Sequence, residues 1–335
     1  MAVRNRKNVF RNLCVFTCAF ICAFIFHQPL FLSNSSANSK DRTDYIGPFT
    51  FICLRSVIGG LFLIPVIIVL DGIRRKSQNE SANVVSSENT LHNIEMDIEK
   101  EEKQRLSWKN KQLIEGGIVC GILLFFANCF QQTGIQYTTV GKAGFITTFY
   151  IIIVPLIGLF FKKYCGILTW IGVVIALAGL YFLCITQKLT IQRGDALILC
   201  CSVLYAGQIL AIDHYNPFVD GVKMSCIQFL TGGVLGAVFM FLFENPSVAM
   251  ILSAAGPILY TGIMSTGVGY TLQIVGQKGL NPTEAALILS LESVFSALSG
   301  YVFLHQVLTT RELIGCVLMF IAIVLAQLPD IRRKV

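Results

Sequence analysis

The sequence predicts an all-α integral membrane protein with ten transmembrane helices in two inverted five-helix repeats. Three observations lead there: long runs of nearly uncharged residues, a one-sided distribution of Lys and Arg, and a weak internal repeat. Of the 335 residues 54% are hydrophobic and only 13% charged, about half the charged share of a soluble domain. The charges fall in clumps separated by apolar runs of about 20 residues, the length a helix needs to cross the hydrocarbon core. Backbone polar groups cannot stay unpaired in lipid, so runs of this length are helices; a barrel would show shorter, alternating strands.

Ten spans follow, near 10–32, 46–70, 113–134, 139–161, 166–185, 195–212, 223–243, 250–272, 282–304 and 311–328. The first begins behind Arg4, Arg6, Lys7 and Arg11; its apolar stretch is long and has no clear small-residue cleavage site, so it is kept as a span. With the N-terminus in the cytoplasm, 19 of the 26 Lys and Arg fall on inside segments and six on outside segments. Arg55 is the remaining one, inside a span. The positive-inside rule therefore puts both termini in the cytoplasm, with an even number of spans. A multi-pass protein of the cell membrane is expected. Residues 1–70 hold spans 1 and 2 of the first repeat, 71–112 a cytoplasmic hydrophilic loop, 113–185 spans 3 to 5, and 186–335 the second repeat of five.

The net charge of +7 does not point to nucleic acid, because the cations flank apolar runs rather than forming a basic face. The 12 cysteines are scattered and mostly inside apolar runs. Cys14, Cys18 and Cys22 share a helix face, but packing explains them better than a metal site. No cofactor or metal is expected. Segment 71–112, rich in Ser and Asn and then in mixed charge, reads as a solvated linker.

The repeat pairs Gln131 with Gln273, Gly134 with Gly276, Lys142 with Glu284, Ala143 with Ala285 and Tyr150 with Glu292, at one constant offset. A second match joins Cys53 to Gly60 with Cys226 to Gly233, and a third joins Ile171-Gly172 to Ile314-Gly315. Each half has an odd number of spans, so the second enters the membrane in the opposite sense. Inverted repeats are a device of transporters, in which two similar halves exchange conformations around a central site.

Polar groups inside spans are costly and are site candidates by default. Arg55 lies mid-span; it is read either as a substrate-anion or gating contact, or as a structural ion pair or snorkelling residue. Glu292, amid Leu289, Leu291 and Val294, is a candidate proton carrier or amine ligand. Asn128, Gln131, Gln132, Gln208, Gln228 and Gln273 can line a polar cavity or join helices by hydrogen bonds. Tyr150 can present its hydroxyl to such a cavity. His305 is read as interfacial, and Asp213-His214-Tyr215 as the folded end of span 6. Pro155 can kink span 4. Gly116-Gly117, Gly121, Gly232-Gly233 and Gly236 allow close helix approach.

Two stretches then carry a resemblance. Asn281-Pro-Thr-Glu-Ala-Ala-Leu-Ile-Leu-Ser-Leu-Glu-Ser-Val-Phe with Glu312-Leu-Ile-Gly-Cys-Val-Leu, and Thr139-Val-Gly-Lys-Ala-Gly-Phe-Ile-Thr-Thr-Phe-Tyr, resemble the EamA-like branch of the drug/metabolite transporter superfamily. Tyr45-Ile-Gly-Pro-Phe with Arg55, and Asp213-His-Tyr-Asn-Pro-Phe-Val-Asp with Gln228-Phe, look similar to bacterial members. The resemblance spans residues 45–328. It implies ten helices and a central cavity lined mainly by spans 1, 3, 4, 6, 8 and 9. It further implies secondary transport of small metabolites, commonly amino-acid export. On this chain the implied substrate-binding residues are Asn128, Gln131, Tyr150, Gln208, Gln273 and Glu292. The chain departs from the family where Ile21-Cys22 replaces a Trp-Gly pair, where His305-Gln306 replaces Gly-Glu, and in its longer segment 71–112. The expected partners are a small-molecule metabolite and membrane lipid, with a homodimer left open. The competing readings are a membrane scaffold that uses 71–112, and a membrane-embedded enzyme. Against the enzyme stands the lack of a zinc-protease pattern or phosphate loop in the sequence.

Overall fold

The computed structural model describes residues 17, 46–82, 106–138, 140–160, 166–184, 193–295, 298 and 309–327. The span predicted at 10–32, with Cys14, Cys18 and Cys22, lies outside the described residues. So do His305, Gln306 and most of the second half of the span at 282–304.

Helix α1 is Pro48–Ala82, α2 Lys111–Ile135, α3 Val140–Thr147, α4 Tyr150–Phe160, α5 Ile167–Cys184, α6 Arg193–Tyr215 and α7 Gly221–Phe243. Short helices α8 Val248–Ser253 and α9 Ala255–Tyr260 lead into a π-helical segment, Thr261–Tyr270, and then α10 Thr271–Gln277. Helices α11 Pro282–Leu289 and α12 Thr310–Gln327 follow. Among the described residues six stretches are long and apolar enough to cross a membrane: Pro48–Arg74, Lys111–Ile135, Lys142–Phe160, Ile167–Cys184, Arg193–Phe218 and Gly221–Phe243. Large apolar side chains lie open on their outer faces, among them Ile68, Phe160, Val234 and Phe241. A water-soluble bundle buries such faces; here lipid covers them.

Local chemistry sets the helix ends. Asn110 caps α2, its Oδ1 accepting from Gln112 N at 3.0 Å. Asn281 caps α11 in the same way, accepting from Thr283 N at 3.0 Å, and Pro282 opens the first turn. Gly279, at φ 75°, makes the turn between α10 and α11. Thr309 and Glu312 form a capping box at α12: Thr309 N donates to Glu312 Oε2 at 2.7 Å and Glu312 N to Thr309 Oγ1 at 3.3 Å. Helix α1 is capped from afar. Phe49 N and Thr50 N donate to the two carboxylate oxygens of Glu244, at 2.9 and 2.8 Å, across 195 and 194 residues of chain. A carboxylate there meets both the orphan N–H groups and the positive end of the helix dipole.

Helix α1 packs along α7, α5 along α12, α2 along α6 and α7, and α4 on α11. Small residues make the contacts close. A Cβ on Gly236 would stand 2.8 Å from Cys53 Cα, and one on Gly121 2.7 Å from Gln228 O. In the α1–α7 seam Cys53 Sγ donates to Gly233 O at 3.5 Å and Cys226 Sγ to Gly60 O at 3.6 Å. The largest apolar cluster joins Tyr150, Ile151 and Val154 of α4 to Leu180 of α5, Ile209 of α6, Leu287 of α11 and Met319 of α12.

The structure adjusts several boundaries. Helix α1 runs on to Ala82, past the predicted end near 70; residues 71–82 contain no Pro to break it. The predicted span 250–272 is four consecutive helical pieces and reaches Gln277. Two spans read as continuous are interrupted. Thr148–Phe149 separates α3 from α4, and Ser290 ends α11 before the helical turns of 291–295. At each interruption a hydroxyl bonds back to its own helix, Thr148 Oγ1 to Gly144 O and Ser290 Oγ to Leu287 O, both at 2.6 Å. This back-bonding loosens and bends helices.

Candidate functional site

The polar side chains predicted to form a site fall into linked groups between α2, α6 and their neighbours. Asn128 is buried in α2, and its Nδ2 donates to Leu124 O at 2.8 Å. Its Oδ1 accepts from the Tyr205 hydroxyl at 3.1 Å. The same hydroxyl lies 3.1 Å from Gln131 Oε1. Tyr205 therefore ties the two predicted α2 residues to α6. Its hydroxyl shares a hydrogen bond with that of Tyr270, at the end of the π-helical segment.

Gln208, one turn further along α6, is fully buried. Its Nε2 stands 3.5 Å from Gln228 Oε1 of α7, the outer limit of a hydrogen bond. Gln208 Oε1 and Gln228 Nε2 find no partner, and neither do the buried hydroxyls of Ser202, Ser265, Thr266 and Thr271. Buried polar atoms are normally paired. They concentrate on α6, α7, the π-helical segment and the first residue of α10, where the described residues leave these polar atoms unmatched.

Arg55 of α1 is only 3% exposed, too deep for its head to snorkel. Its guanidinium lies over the Phe51 ring, 5.6 Å from the centroid. No described carboxylate pairs with it, so the ion-pair reading has no partner among the described residues.

Tyr150 directly follows the Thr148–Phe149 interruption, and Glu292 stands two residues past Ser290. Tyr150 is buried in the main apolar cluster against α11. Glu292 is half-buried and forms no hydrogen bond or ion pair with any described residue. Gln273 is buried in α10. No observed hydrogen bond joins Gln273 or Glu292 to the Tyr205 group.

Sequence reasoning missed Tyr205, Tyr270, Ser202 and Glu244. A signal existed for Tyr205 and Ser202: at helical spacing they share a face with Gln208. Glu244 carried none, because its partners are set by the packing of α7 on α1. A second polar cluster was also missed, at the end of the α1–α7 seam away from Glu244. Lys223 is buried and pairs with Asp71 at 2.8 Å. Arg74 pairs with Asp220, which also caps α7 through Val222 N and Lys223 N. Lys223 Nζ donates to Leu106 O at 2.7 Å and lies 5.3 Å from the Trp108 ring centroid. The end of segment 71–112 is thus seated on the bundle, where the sequence suggested linker throughout.

The comparison with known proteins decides the family. Residues 99–185 and 192–328 match the EamA-like transporter family. The chain belongs to that family, a branch of the drug/metabolite transporter superfamily. It is 31% identical over 213 residues to an uncharacterized transporter of Archaeoglobus fulgidus, covering 63% of this chain and 68% of the relative. It is 24% identical over 208 residues to the uncharacterized transporter YoaV of Bacillus subtilis, covering 60% and 71%. A solved structure titled only as the crystal structure of a protein superposes with a TM-score of 0.67, covering 97% of this chain and 99% of that one; at 18% identity the likeness concerns the fold. This EamA-like protein is therefore a multi-pass integral membrane transporter.

Proposed function

We propose that this EamA-like protein is a secondary transporter that moves a small metabolite, an amino acid or similar solute, out of the cell by alternating access. In this reading it sits in the plasma membrane with both termini cytoplasmic. Ten helices form two inverted five-helix repeats, and the site is lined by Asn128, Gln131, Tyr150, Gln208, Gln273 and Glu292.

The observation that carries the reading is the matched pair of helix interruptions, Thr148–Phe149 and Ser290. They occupy equivalent repeat positions in α3–α4 and in α11 with its continuation, and α4 packs on α11. Irregular backbone at membrane depth is tolerated only where it is buried in protein or lines a polar cavity. Discontinuous helices of this kind form the substrate sites of transporters built from repeats. Each interruption is followed by one site residue, Tyr150 in the first half and Glu292 in the second.

Reciprocal contacts support the two-fold relation. A two-fold axis requires that if residue i touches j′, then j touches i′. Cys53 reaches Gly233 O while its repeat counterpart Cys226 reaches Gly60 O. Likewise Gly172 abuts Ala322 O, and Gly179 abuts Gly315 O. Two halves meeting across such an axis can exchange conformations and present one site alternately to each side.

The test is flux. Purified protein in sealed vesicles, screened against labelled amino acids and related metabolites with and without a pH gradient, should show saturable movement of at least one solute above protein-free vesicles. Flux equal to the empty vesicles across the panel would sink the reading. The scaffold alternative is separated by deleting residues 83–105, which leaves Asp71, Arg74, Leu106 and Trp108 in place. Intact flux with a lost protein partner would make scaffolding an added role of the loop.

A further inference from the structure

We infer that Arg55 is the recognition point for a single negative charge on the ligand, a carboxylate, held between α1, α2 and the π-helical segment. This rests on the transport reading and narrows the class of solute the site takes.

A buried guanidinium in a membrane protein demands compensation, and almost all such groups face a cavity or a partner. Arg55 has neither a carboxylate nor a hydrogen-bond acceptor among the described residues. The acid Glu244 is already held by three donors: Phe49 N, Thr50 N and the Thr50 hydroxyl. Among the described residues the Arg55 charge therefore has no counter-ion. Stacking on Phe51 engages a face of the guanidinium and leaves its edge, which carries the N–H donors, for an acceptor.

Tyr205 of α6 bonds Asn128 and Gln131 of α2. That hydroxyl and those amides can exchange their mutual bonds for a ligand's oxygens. The π-helical segment packs directly against α1 at this level: a Cβ on Gly262 would stand 3.3 Å from Arg55 O. π-Helical geometry is frequent at functional sites because it shifts side chains and backbone out of the regular register.

Charge count selects the ligand. The other cation that is comparably buried among the described residues, Lys223, is paired with Asp71, so one positive charge faces the site. A monocarboxylate neutralises the Arg55 guanidinium, and its two oxygens match the guanidinium fork. A dianion would carry a second negative charge that Arg55 does not balance.

The experiment uses the full chain in lipid nanodiscs and reads ligand-induced shifts in the unfolding midpoint, titrated to give apparent affinities. The probes are matched pairs: lactate with lactamide, leucine with leucinamide, benzoate with benzamide. Succinate and inorganic phosphate serve as dianions. At least one monocarboxylate should bind about tenfold or more tighter than its amide and than either dianion. Arg55→Gln should abolish that preference. Arg55→Lys, which keeps charge but not the fork, should lose about tenfold, and it decides the matter if the Gln variant does not purify. Carboxylates bound no better than their amides, or a preference retained in both variants, overturns the inference. Preference without vesicle flux keeps this site and sinks the transport reading; flux without preference does the reverse.

Discussion

The ends and the middle of the α1–α7 pair use polar groups in opposite ways. At one end Glu244 is saturated by the first turn of α1. At the other, Asp71, Arg74, Asp220 and Lys223 pair with one another, and Leu106 and Trp108 close over Lys223. Between these ends, among the described residues, Arg55 is buried without a counter-ion, and Gln208, Gln228, Ser265 and Thr266 carry unpaired polar atoms. A fold optimised for stability alone would satisfy the middle first, since an unpaired polar group costs most where water is least available. The ends hold the bundle together; the middle keeps its polar valence for something that is not part of the chain.

The largest expected effect tests the ends. Glu244→Ala leaves two N–H groups of the α1 first turn and the Thr50 hydroxyl without their acceptor, and removes the charge that meets the helix dipole. A lost cap costs about 1 kcal/mol and a lost charge-assisted bond about 1.5–3 kcal/mol. Stability should therefore fall by about 2–4 kcal/mol, read as a lower unfolding midpoint in detergent. Glu244→Gln, which keeps an acceptor, should recover part of it. An unchanged midpoint in the Ala variant would show that the ends are not what holds α1 to α7.

Glu292→Gln tests the middle and should behave in the opposite way. The carboxylate has no partner to lose among the described residues, so the unfolding midpoint should hold or rise, while vesicle flux should drop about tenfold or more, equivalent to about 1.4 kcal/mol. Wild-type flux in this variant would remove Glu292 from the site. A large loss of stability would show that its partner lies among residues outside those described, and that its role is structural.

How much of this was legible before folding follows from the range of each interaction. Hydropathy and charge asymmetry act along the chain, so the membrane class and the helices from α1 to α7 could be read, as could the caps Asn281-Pro282 and Thr309 to Glu312. The interruptions at Thr148 and Ser290 could not, because Ser and Thr fit helices and unwind them only when the hydroxyl bonds the preceding turn. Nor could the π-helical run, which follows from how the segment packs on α1. Glu244 and Lys223 read as loop and boundary charges; their partners were fixed only when α7 met α1. Tyr205 was passed over for a related reason. In an apolar span a tyrosine looks like packing until its hydroxyl is seen between Asn128 and Gln131.

Tyr205→Phe sharpens the same contrast with a single atom. The hydroxyl is shared among Asn128, Gln131 and Tyr270, and those groups have other contacts: Asn128 keeps its bond to Leu124 O. The ring remains and continues to pack beside Leu63 and Phe229. Stability should therefore change by no more than about 1 kcal/mol. If Tyr205 only joins α2 to α6, flux should follow stability and barely move. If it meets the solute, flux should fall about three- to tenfold at unchanged midpoint, with the loss appearing as weaker half-saturation rather than lower maximal rate. Deleting residues 83–105 is the control at the small end of the scale. It spares the ion cluster and the middle alike, so midpoint and flux should both stay within error. A deletion that slowed flux while the midpoint held would tie the loop to the exchange of the two halves, through Leu106 and Trp108 on Lys223, and the ends would then be part of the moving machinery rather than its fixed frame.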